Sequence, residues 1–399
     1  MITFFNIFGL KTAPKVLFLA RWYPDRYDPM TGLFIKRHAS VAAGFADIAV
    51  LYLRAAPEKS YGYQVEKKIE MGVTTVRVYY GTNSNLPSIL TKPLSGLMFV
   101  LAFVKGYSLL KNTWGRPRII HVNVLTRLGL FALWLRWFSG IRYVITEHWS
   151  RYLPVTGTYK GLFRKLLTKI IVRNAAAVST VSENLARAMQ SHGLLNKNYM
   201  VLPNVVDTEA YIPGNERSEN KVKRFIHISC FEDRSKNISG LLNVISKLSV
   251  LRDDFECLLV GEGMDLDKMK LLAAELGLKE PMLKFTGLLE NENLITSYQC
   301  SDFMVMFSNY ENMPVVISES FSCGLPVIAT SVGGIPEYVN NKNGRLVAAR
   351  DETALLDAIG FMLDHFSEFD KNGIRQQALE IFGKQAVAKK LQELYRYAN

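Results

Sequence analysis

The chain predicts an α/β protein of two doubly wound domains, each a parallel sheet covered by helices on both faces. Three observations carry this. At 399 residues the chain is too long for one ordinary core and suits two domains. Short unbroken apolar runs alternate with helical patterns, as buried parallel strands require. The alternation falls into two sets, on either side of a polar stretch at 213–223 (PGNERSENKVK) that reads as a linker.

In the first set, residues 15–20 (KVLFLA) form a continuous apolar run, and Gly32 then opens a helical pattern through Phe34, Ile35, His38, Val41 and Ala42. Strands are expected at 48–53, 73–80, 119–122 and 143–146, with helical patterns between them. In the second set, strands are expected at 224–229, 256–260, 283–286, 303–307 and 326–329. Helices should begin near Ile238, Leu266, Asn291 and Val315. An amphipathic helix at 384–397 ends the chain.

Composition is that of a folded protein, with 49% apolar and 21% charged residues, which excludes disordered and collagen-like classes. The net charge of +12 is unevenly placed. Residues 1–205 hold 27 Lys and Arg against 8 Asp and Glu, a net of +19, whereas 206–399 are net −7. A basic partner surface therefore belongs to the first half. The four cysteines (230, 257, 300 and 323) show no metal-ligand spacing, and each is expected to be a small buried hydrophobe in a reducing compartment. Residues 1–10 lack a basic segment and a cleavage site, so no signal peptide is expected. The longest apolar run, 97–104, reaches eleven residues with its small neighbours, short of the roughly twenty that span a bilayer. The expectation is a soluble or surface-bound protein.

In open parallel sheets, ligands bind beyond the carboxyl ends of the strands, so candidate site residues lie in the loops there. After 303–307 comes Ser-Asn-Tyr-Glu-Asn-Met-Pro, then a helix from Val315 to Gly324. Pro314 suits its first turn, and Gly324 with Pro326 its stop. Free N–H groups at Val315 and Val316 would offer a phosphate cradle, flanked by Glu311 and Glu319. After 224–229, Arg234 and Lys236 precede another helix and add full positive charge. Two anion-suited loops in one domain point to a diphosphate. Gly261-Glu262-Gly263 lacks the third glycine of a dinucleotide fingerprint. Asp265-Leu266-Asp267 spells a DxD, but at a helix start it reads as an N-cap, and no metal is expected. In the first half, His148 lies at a strand's C-terminal edge, and Gly32 could let backbone approach a phosphate or sugar.

Taken together, the chain resembles a retaining glycosyltransferase of the GT4 family, also called glycosyltransferase group 1, with the GT-B fold. The residues that carry the resemblance are the E-x7-E pair Glu311 and Glu319, VLPNVVD at 201–207, LVGEGMDLDKM at 259–269, LKFTGLLEN at 283–291 and GLPVIATSVGGIPEYV at 324–339. Weaker matches are TVSE at 180–183 and TEHWS at 146–150. The resemblance implies two Rossmann-like domains facing a central cleft: an acceptor domain at 1–205, a nucleotide-sugar domain at 206–380, and a helix at 381–399 that crosses back to the first. It implies that Glu311 faces the transferred sugar and that His148 hydrogen-bonds it. Glu319 would hold the donor ribose, and Lys236 the diphosphate with the Val315 and Val316 N–H groups. Leu288 or Leu289 would contact the base through its backbone, and Gly32 would lie over the diphosphate. The family's usual arginine before the lysine is absent, Cys230 and Asp233 standing there, and Arg234 is the nearby substitute.

The expected reaction is transfer of a hexose-type sugar from a UDP- or GDP-sugar to a hydroxyl, with retained anomeric configuration and without metal or cofactor. The basic first half points to a lipid-linked saccharide acceptor in bacterial-type surface polysaccharide synthesis. Residues 159–173 set Lys160, Arg164, Lys165, Lys169 and Arg173 against apolar positions, a pattern suited either to an anionic membrane surface or to packing on the sheet. The expected location is cytoplasmic, peripheral on the inner face of the cytoplasmic membrane. Two alternatives compete. One is a cytosolic transferase with a small soluble acidic acceptor. The other is a nucleic-acid-binding module, disfavoured because aromatic and basic residues do not interleave and the second half is acidic.

Overall fold

The computed structural model describes residues 13–56, 62–81, 88–125, 127–215 and 222–399. The expectation for residues 1–10 and most of the 213–223 linker lies outside them. The chain divides into two compact units: residues 13–181, 186–202 and 387–399 form one, and residues 182–185 and 203–386 the other, among those described.

The first unit contains β1 (Lys15–Ala20), α1 (Leu33–Ala42), β2 (Asp47–Ala55), β3 (Tyr63–Glu70), β4 (Val73–Tyr80), α2 (Ser88–Thr113), β5 (Ile119–Asn123), α3 (Arg127–Ser139), β6 (Arg142–Glu147), α4 (Leu162–Asn174), β7 (Ala177–Thr180), most of α5 (Glu183–Ser191) and β8 (Tyr199–Val201). Its sheet runs β3-β4-β2-β1-β5-β6-β7-β8. Val16, Leu17, Phe18 and Leu19 of β1 are wholly buried, which is why the central strand is apolar without alternation. All pairings are parallel except β3 with β4. The strand order reverses direction between β1 and β5, so the loops leaving these two strands flank a crevice.

The second unit contains β9 (Lys223–Ile228), α6 (Asp233–Lys236), α7 (Ile238–Leu251), β10 (Phe255–Val260), α8 (Leu266–Glu275), β11 (Leu283–Gly287), α9 (Asn291–Gln299), β12 (Phe303–Met306), α10 (Val315–Ser322), β13 (Val327–Thr330), β14 (Gly344–Val347), α11 (Glu352–His365) and α12 (Lys371–Phe382). Its six-stranded parallel sheet has the order β11-β10-β9-β12-β13-β14, the Rossmann order with the reversal between β9 and β12. Phe225 stacks between Phe255 at 5.9 Å and Phe303 at 5.4 Å, locking the three central strands in register.

The last helix, α13 (Lys384–Arg396), belongs from Val387 onward to the first unit. There its Tyr395 hydroxyl lies 3.0 Å from Nδ1 of the buried His121, whose other ring nitrogen is 2.6 Å from the Thr146 hydroxyl. Burial holds the His121 imidazole well below its ordinary range, so it stays neutral.

Several expectations are corrected. The apolar run at 97–104 is part of a longer helix, and within α2 the stretch Leu94–Thr113 is long and apolar enough to cross a membrane by length and composition. Counting apolar residues undercounted it, because helical residues include Lys105 and Lys111. One side of α2 covers the sheet: Phe99, Ala102, Phe103 and Leu110 are buried, and the bare Gly106 sits where a side chain would meet Leu51 and Val78. The cysteines are not all buried, since Cys230 is exposed and Cys300 half-buried. Asp265 does not cap its own helix through its side chain. Its carboxylate instead accepts the Asp233 backbone N–H at 2.8 Å, tying down the loop before α6. Pro314 precedes α10 as its cap residue rather than sitting inside the first turn.

Candidate functional site

In the second unit, the loops after β9 and β12 lie side by side because those strands are neighbours. Glu311 is in the β12 loop and Lys236 ends α6, 75 positions apart in sequence. Their side chains meet at 2.5 Å, only 15% and 10% exposed for Lys236 and Glu311 respectively. Burial alone would lower the Lys236 ammonium's pKa, but the adjacent Glu311 carboxylate, together with Cys230 and Glu232, more than offsets this and raises it, so the lysine stays charged. The Ser308 hydroxyl donates to the same Glu311 oxygen at 2.9 Å, and the Thr330 hydroxyl fixes Ser308 by donating to its carbonyl at 2.7 Å. Asn309 N–H donates to the Ser235 carbonyl at 2.8 Å, stitching the two loops together.

Behind this pair α10 begins. The Ile317 N–H donates to the Pro314 carbonyl at 3.3 Å. Among the described residues no backbone carbonyl takes the N–H groups of Val315 and Val316, which leaves the helix's partial positive charge available to an anion. Arg234 is exposed, with no carboxylate in ion-pair range among the described residues. Asp233 caps α7, accepting both the N–H and the hydroxyl of Ser239 at 2.8 Å. Leu288 is exposed and Leu289 half-buried in the turn after β11. Glu319 is almost fully buried on α10, and the Tyr298 hydroxyl donates to its Oε2 at 3.2 Å.

Two features escaped the sequence reading. Gly333 packs its bare Cα against the Glu311 carbonyl, and Gly334 N–H donates to the Asn312 carbonyl at 2.6 Å. His227 lies under the pair on β9. Its Nδ1–H donates to the Val305 carbonyl at 3.0 Å, which leaves Nε2 to accept from the Ser229 hydroxyl at 2.8 Å. Burial first, with Lys236 adding to it, pushes that imidazole down to about 4. Among the described residues no group of three or more His, Cys, Asp or Glu side chains is gathered as a metal site would require.

The first unit presents its own site at the ends of β1, β5 and β6. Gly32 caps α1 at φ +69°, and a Cβ there would lie 2.4 Å from the Trp22 carbonyl carbon, so only glycine lets the loop fold against the helix. Asp25 organises that loop, accepting Tyr27 N–H at 2.7 Å, Asp28 N–H at 3.1 Å and the Arg54 guanidinium at 2.6 Å. His148 does not stand open at the strand end. Its ring lies on Phe34 with centroids 4.4 Å apart, and both ring nitrogens are shielded from solvent. The neighbouring Glu147 is fully buried and accepts three backbone N–H groups, from Leu125 at 2.8 Å and from His148 and Trp149 at 2.9 Å. Burial outweighs these bonds and pushes its carboxyl up to about 7. The helix of the 159–173 pattern is divided along its length: Ile171 and Val172 are buried, whereas Leu162 is 88%, Phe163 75% and Leu166 57% exposed.

Comparison with known proteins adds to this geometry. The family profile of "Glycosyl transferases group 1" matches residues 211–376, and that of "Glycosyltransferase Family 4" matches 58–210. The chain is 27% identical over 293 residues to the N-acetyl-alpha-D-glucosaminyl L-malate synthase of Bacillus anthracis, covering 69% of this chain and 74% of that protein. It is 27% identical over 321 residues to a D-inositol 3-phosphate glycosyltransferase of Corynebacterium urealyticum, covering 74% of each. Among solved structures it is similar to the sucrose-phosphate synthase of Thermosynechococcus elongatus, with a TM-score of 0.75 at 19% identity over 96% of this chain and 98% of that one. It is also similar to Alr3699/HepE of Anabaena in complex with UDP, with a TM-score of 0.71 at 16% identity over 96% and 99%. The structural neighbours are glycosyltransferases of GT-B fold, and the two profiles together run from residue 58 to 376 without a gap. The chain belongs to the group 1 glycosyltransferases, with a first domain of the family 4 type.

Proposed function

We propose that the protein transfers a hexose-type sugar, with its anomeric configuration retained, from a UDP- or GDP-sugar to a hydroxyl of a lipid-linked saccharide during surface polysaccharide synthesis. The observation that carries the reading is the Lys236–Glu311 pair held in front of the free N–H groups of Val315 and Val316. Breaking the bond from the anomeric carbon to the diphosphate oxygen leaves negative charge on the phosphate and positive character on the sugar. Lys236, Arg234 and the start of α10 answer the first charge, and Glu311 the second. The acceptor oxygen attacks from the face the phosphate is leaving, and its proton passes to a phosphate oxygen. Glu319 holds the ribose, Leu288 or Leu289 the base, and Gly32 lies along the diphosphate. His148 hydrogen-bonds the sugar. No metal takes part in this scheme.

The enzyme works peripherally on the inner face of the cytoplasmic membrane, where the cations around α4 meet anionic lipid. The exposed Leu162, Phe163 and Leu166, with Trp134 and Trp137 on α3, support that reading. The test is hydrolysis and transfer with a panel of UDP- and GDP-linked sugars, with and without chelator. Activity should survive chelation, and product NMR should show the donor's anomeric configuration. Unimpaired turnover in Glu311→Gln, or an inverted product, would overturn the assignment. Vesicle binding should weaken with salt and on neutralising Lys160, Arg164, Lys165, Lys169 and Arg173 together.

A further inference from the structure

The first unit holds a cavity of about 780 Å³ that the donor chemistry does not use. It opens at the C-terminal ends of the strands, and five arginines line it: Arg21 after β1, Arg54 on β2, Arg127 at the start of α3, Arg151 after β6 and Arg164 on α4. Arg54 is committed to Asp25 at 2.6 Å. For the other four, no carboxylate lies within ion-pair distance among the described residues. Asp28, the one acidic residue lining the cavity, spends its Oδ1 on the backbone N–H groups of Met30 at 3.1 Å and Thr31 at 3.0 Å.

Arg151 is the most constrained of the four. Its guanidinium lies over the Trp149 ring, 3.4 Å from the centroid, and its Nε–H is buried without an acceptor. Burial, and then the like charges of Arg164 and Arg21, lower its pKa, whereas Tyr152 and Glu147 partly oppose them. Folding alone has no use for such a gathering of uncompensated guanidinium groups. Planar forks of this kind match phosphate oxygens.

The rest of the wall is greasy. Phe99 on α2, Leu130 on α3 and Phe163 and Leu167 on α4 line the same cavity. The exposed apolar residues of α2 (Leu97, Leu101), α3 (Trp134) and α4 (Leu162, Leu166) lie on the same three helices. Stacked rings tie α2 to α3, with Phe103 and Phe131 parallel at 3.7 Å. The ligand chemistry that fits is therefore an anionic phosphate ester carrying an apolar chain.

We propose that this cavity is the acceptor site, with Arg21, Arg151 and Arg164 gripping the phosphate or diphosphate of a lipid-linked acceptor while α3 and α4 hold the start of its hydrocarbon. The proposal rests on the transferase reading above and gives its lipid-linked acceptor a place and the side chains that hold it. Calorimetric titration of the full chain tests it with three probes: farnesyl diphosphate below its critical micelle concentration, farnesol and inorganic pyrophosphate. Farnesyl diphosphate should bind at least tenfold more tightly than either fragment, and saturating UDP or GDP should not displace it.

Arg21→Gln and Arg164→Gln, both at exposed positions, should each weaken it at least fivefold with unchanged melting temperature. Arg151→Gln should weaken it further. Equal affinity in these variants, or displacement by nucleotide, would overturn the site. Pyrophosphate binding as tightly as the prenyl ester would overturn the lipid and leave a soluble phosphate acceptor in its place. Because binding is read without a donor, its failure is separable from a failure of nucleotide-sugar turnover.

Discussion

Replacing Gly333 with alanine isolates how Glu311 is held. Gly333 has φ +57°, and a Cβ there would fall 1.8 Å from the Glu311 carbonyl oxygen and 2.7 Å from its carbon. Real Cβ atoms do not come within 3.0 Å of such atoms, so the Glu311 backbone must retreat by more than 1 Å. The Lys236–Glu311 contact, now 2.5 Å, cannot survive that shift unchanged. A displacement of this size at a reacting centre costs on the order of 10²-fold in rate. The left-handed backbone alone costs alanine about 1 kcal/mol, and this part must be subtracted. Gly157, in the first unit at φ +56° with nothing within 4 Å of its would-be Cβ, supplies the control. Gly157→Ala should lower Tm by about 2–4 °C and leave nucleotide-sugar turnover within about twofold. Gly333→Ala should lower Tm by at least twice as much and turnover by about 100-fold. If the two variants melted alike and turned over alike, the close approach of Gly333 would have no role in setting Glu311.

Other expectations follow from the same contacts. Lys236→Met strands a mostly buried carboxylate and should cost about 3–5 kcal/mol in urea unfolding, and adding Glu311→Gln should recover part of that without restoring turnover. Tyr395→Phe removes the hydroxyl partner of His121 and should cost about 1 kcal/mol, read by the same method. Stability should also depend on pH. His121 and His227 stay neutral in the fold but take up protons below about 6.5 when unfolded, so each removes about 1.4 kcal/mol per pH unit as pH falls below that value. Glu147 acts oppositely, because its folded pKa near 7 lies above its unfolded value. Its stabilising contribution is full below about 4.5 and is lost as pH rises to 7. Between pH 5 and 6.5 the balance is a loss of about 1.4 kcal/mol per unit of acidification, and Glu147→Gln should steepen it towards twice that. Urea midpoints at pH 5, 6 and 7 check this, and a pH-independent midpoint would contradict it.

What the sequence disclosed, and what it hid, follows from how local each feature is. The strand at 15–20 was legible to the residue because burial on both faces leaves an unbroken apolar signature, and the one at 73–80 (VTTVRVYY) because β-branched and aromatic residues fill it. β3 was not. Its sequence YQVEKKIE is that of an exposed antiparallel edge, where charge protects against further pairing. β7 (AVST) and β14 (GRLV) are no shorter than β12 (FMVM) and β13 (VIAT) but lack their apolar run, and β8 has only three residues. In the second unit the loop residues 308–316 could be read because strand, loop and helix start are contiguous. The contact between Lys236 and Glu311 depended on knowing that β9 and β12 are neighbours. Glu147, Arg21, Arg127 and Arg151 left no local trace, and Arg164 was visible only as one cation of the 159–173 pattern, since the chain gathers these arginines from three separate connections.

The interleaving of the two units bears on how the chain is made. Val387, Leu391, Leu394 and Tyr395 are buried in the first unit, yet about 185 residues, most of the second unit, separate them from that unit's preceding segment, which ends at Leu202. At ribosomal rates of about 5–20 residues per second, the first unit waits roughly 10–40 s for its final helix. During that interval the surface that will receive α13, His121 included, is uncovered on the nascent chain. The second unit can close in the meantime, so the half of the protein that emerges first is the half that finishes last.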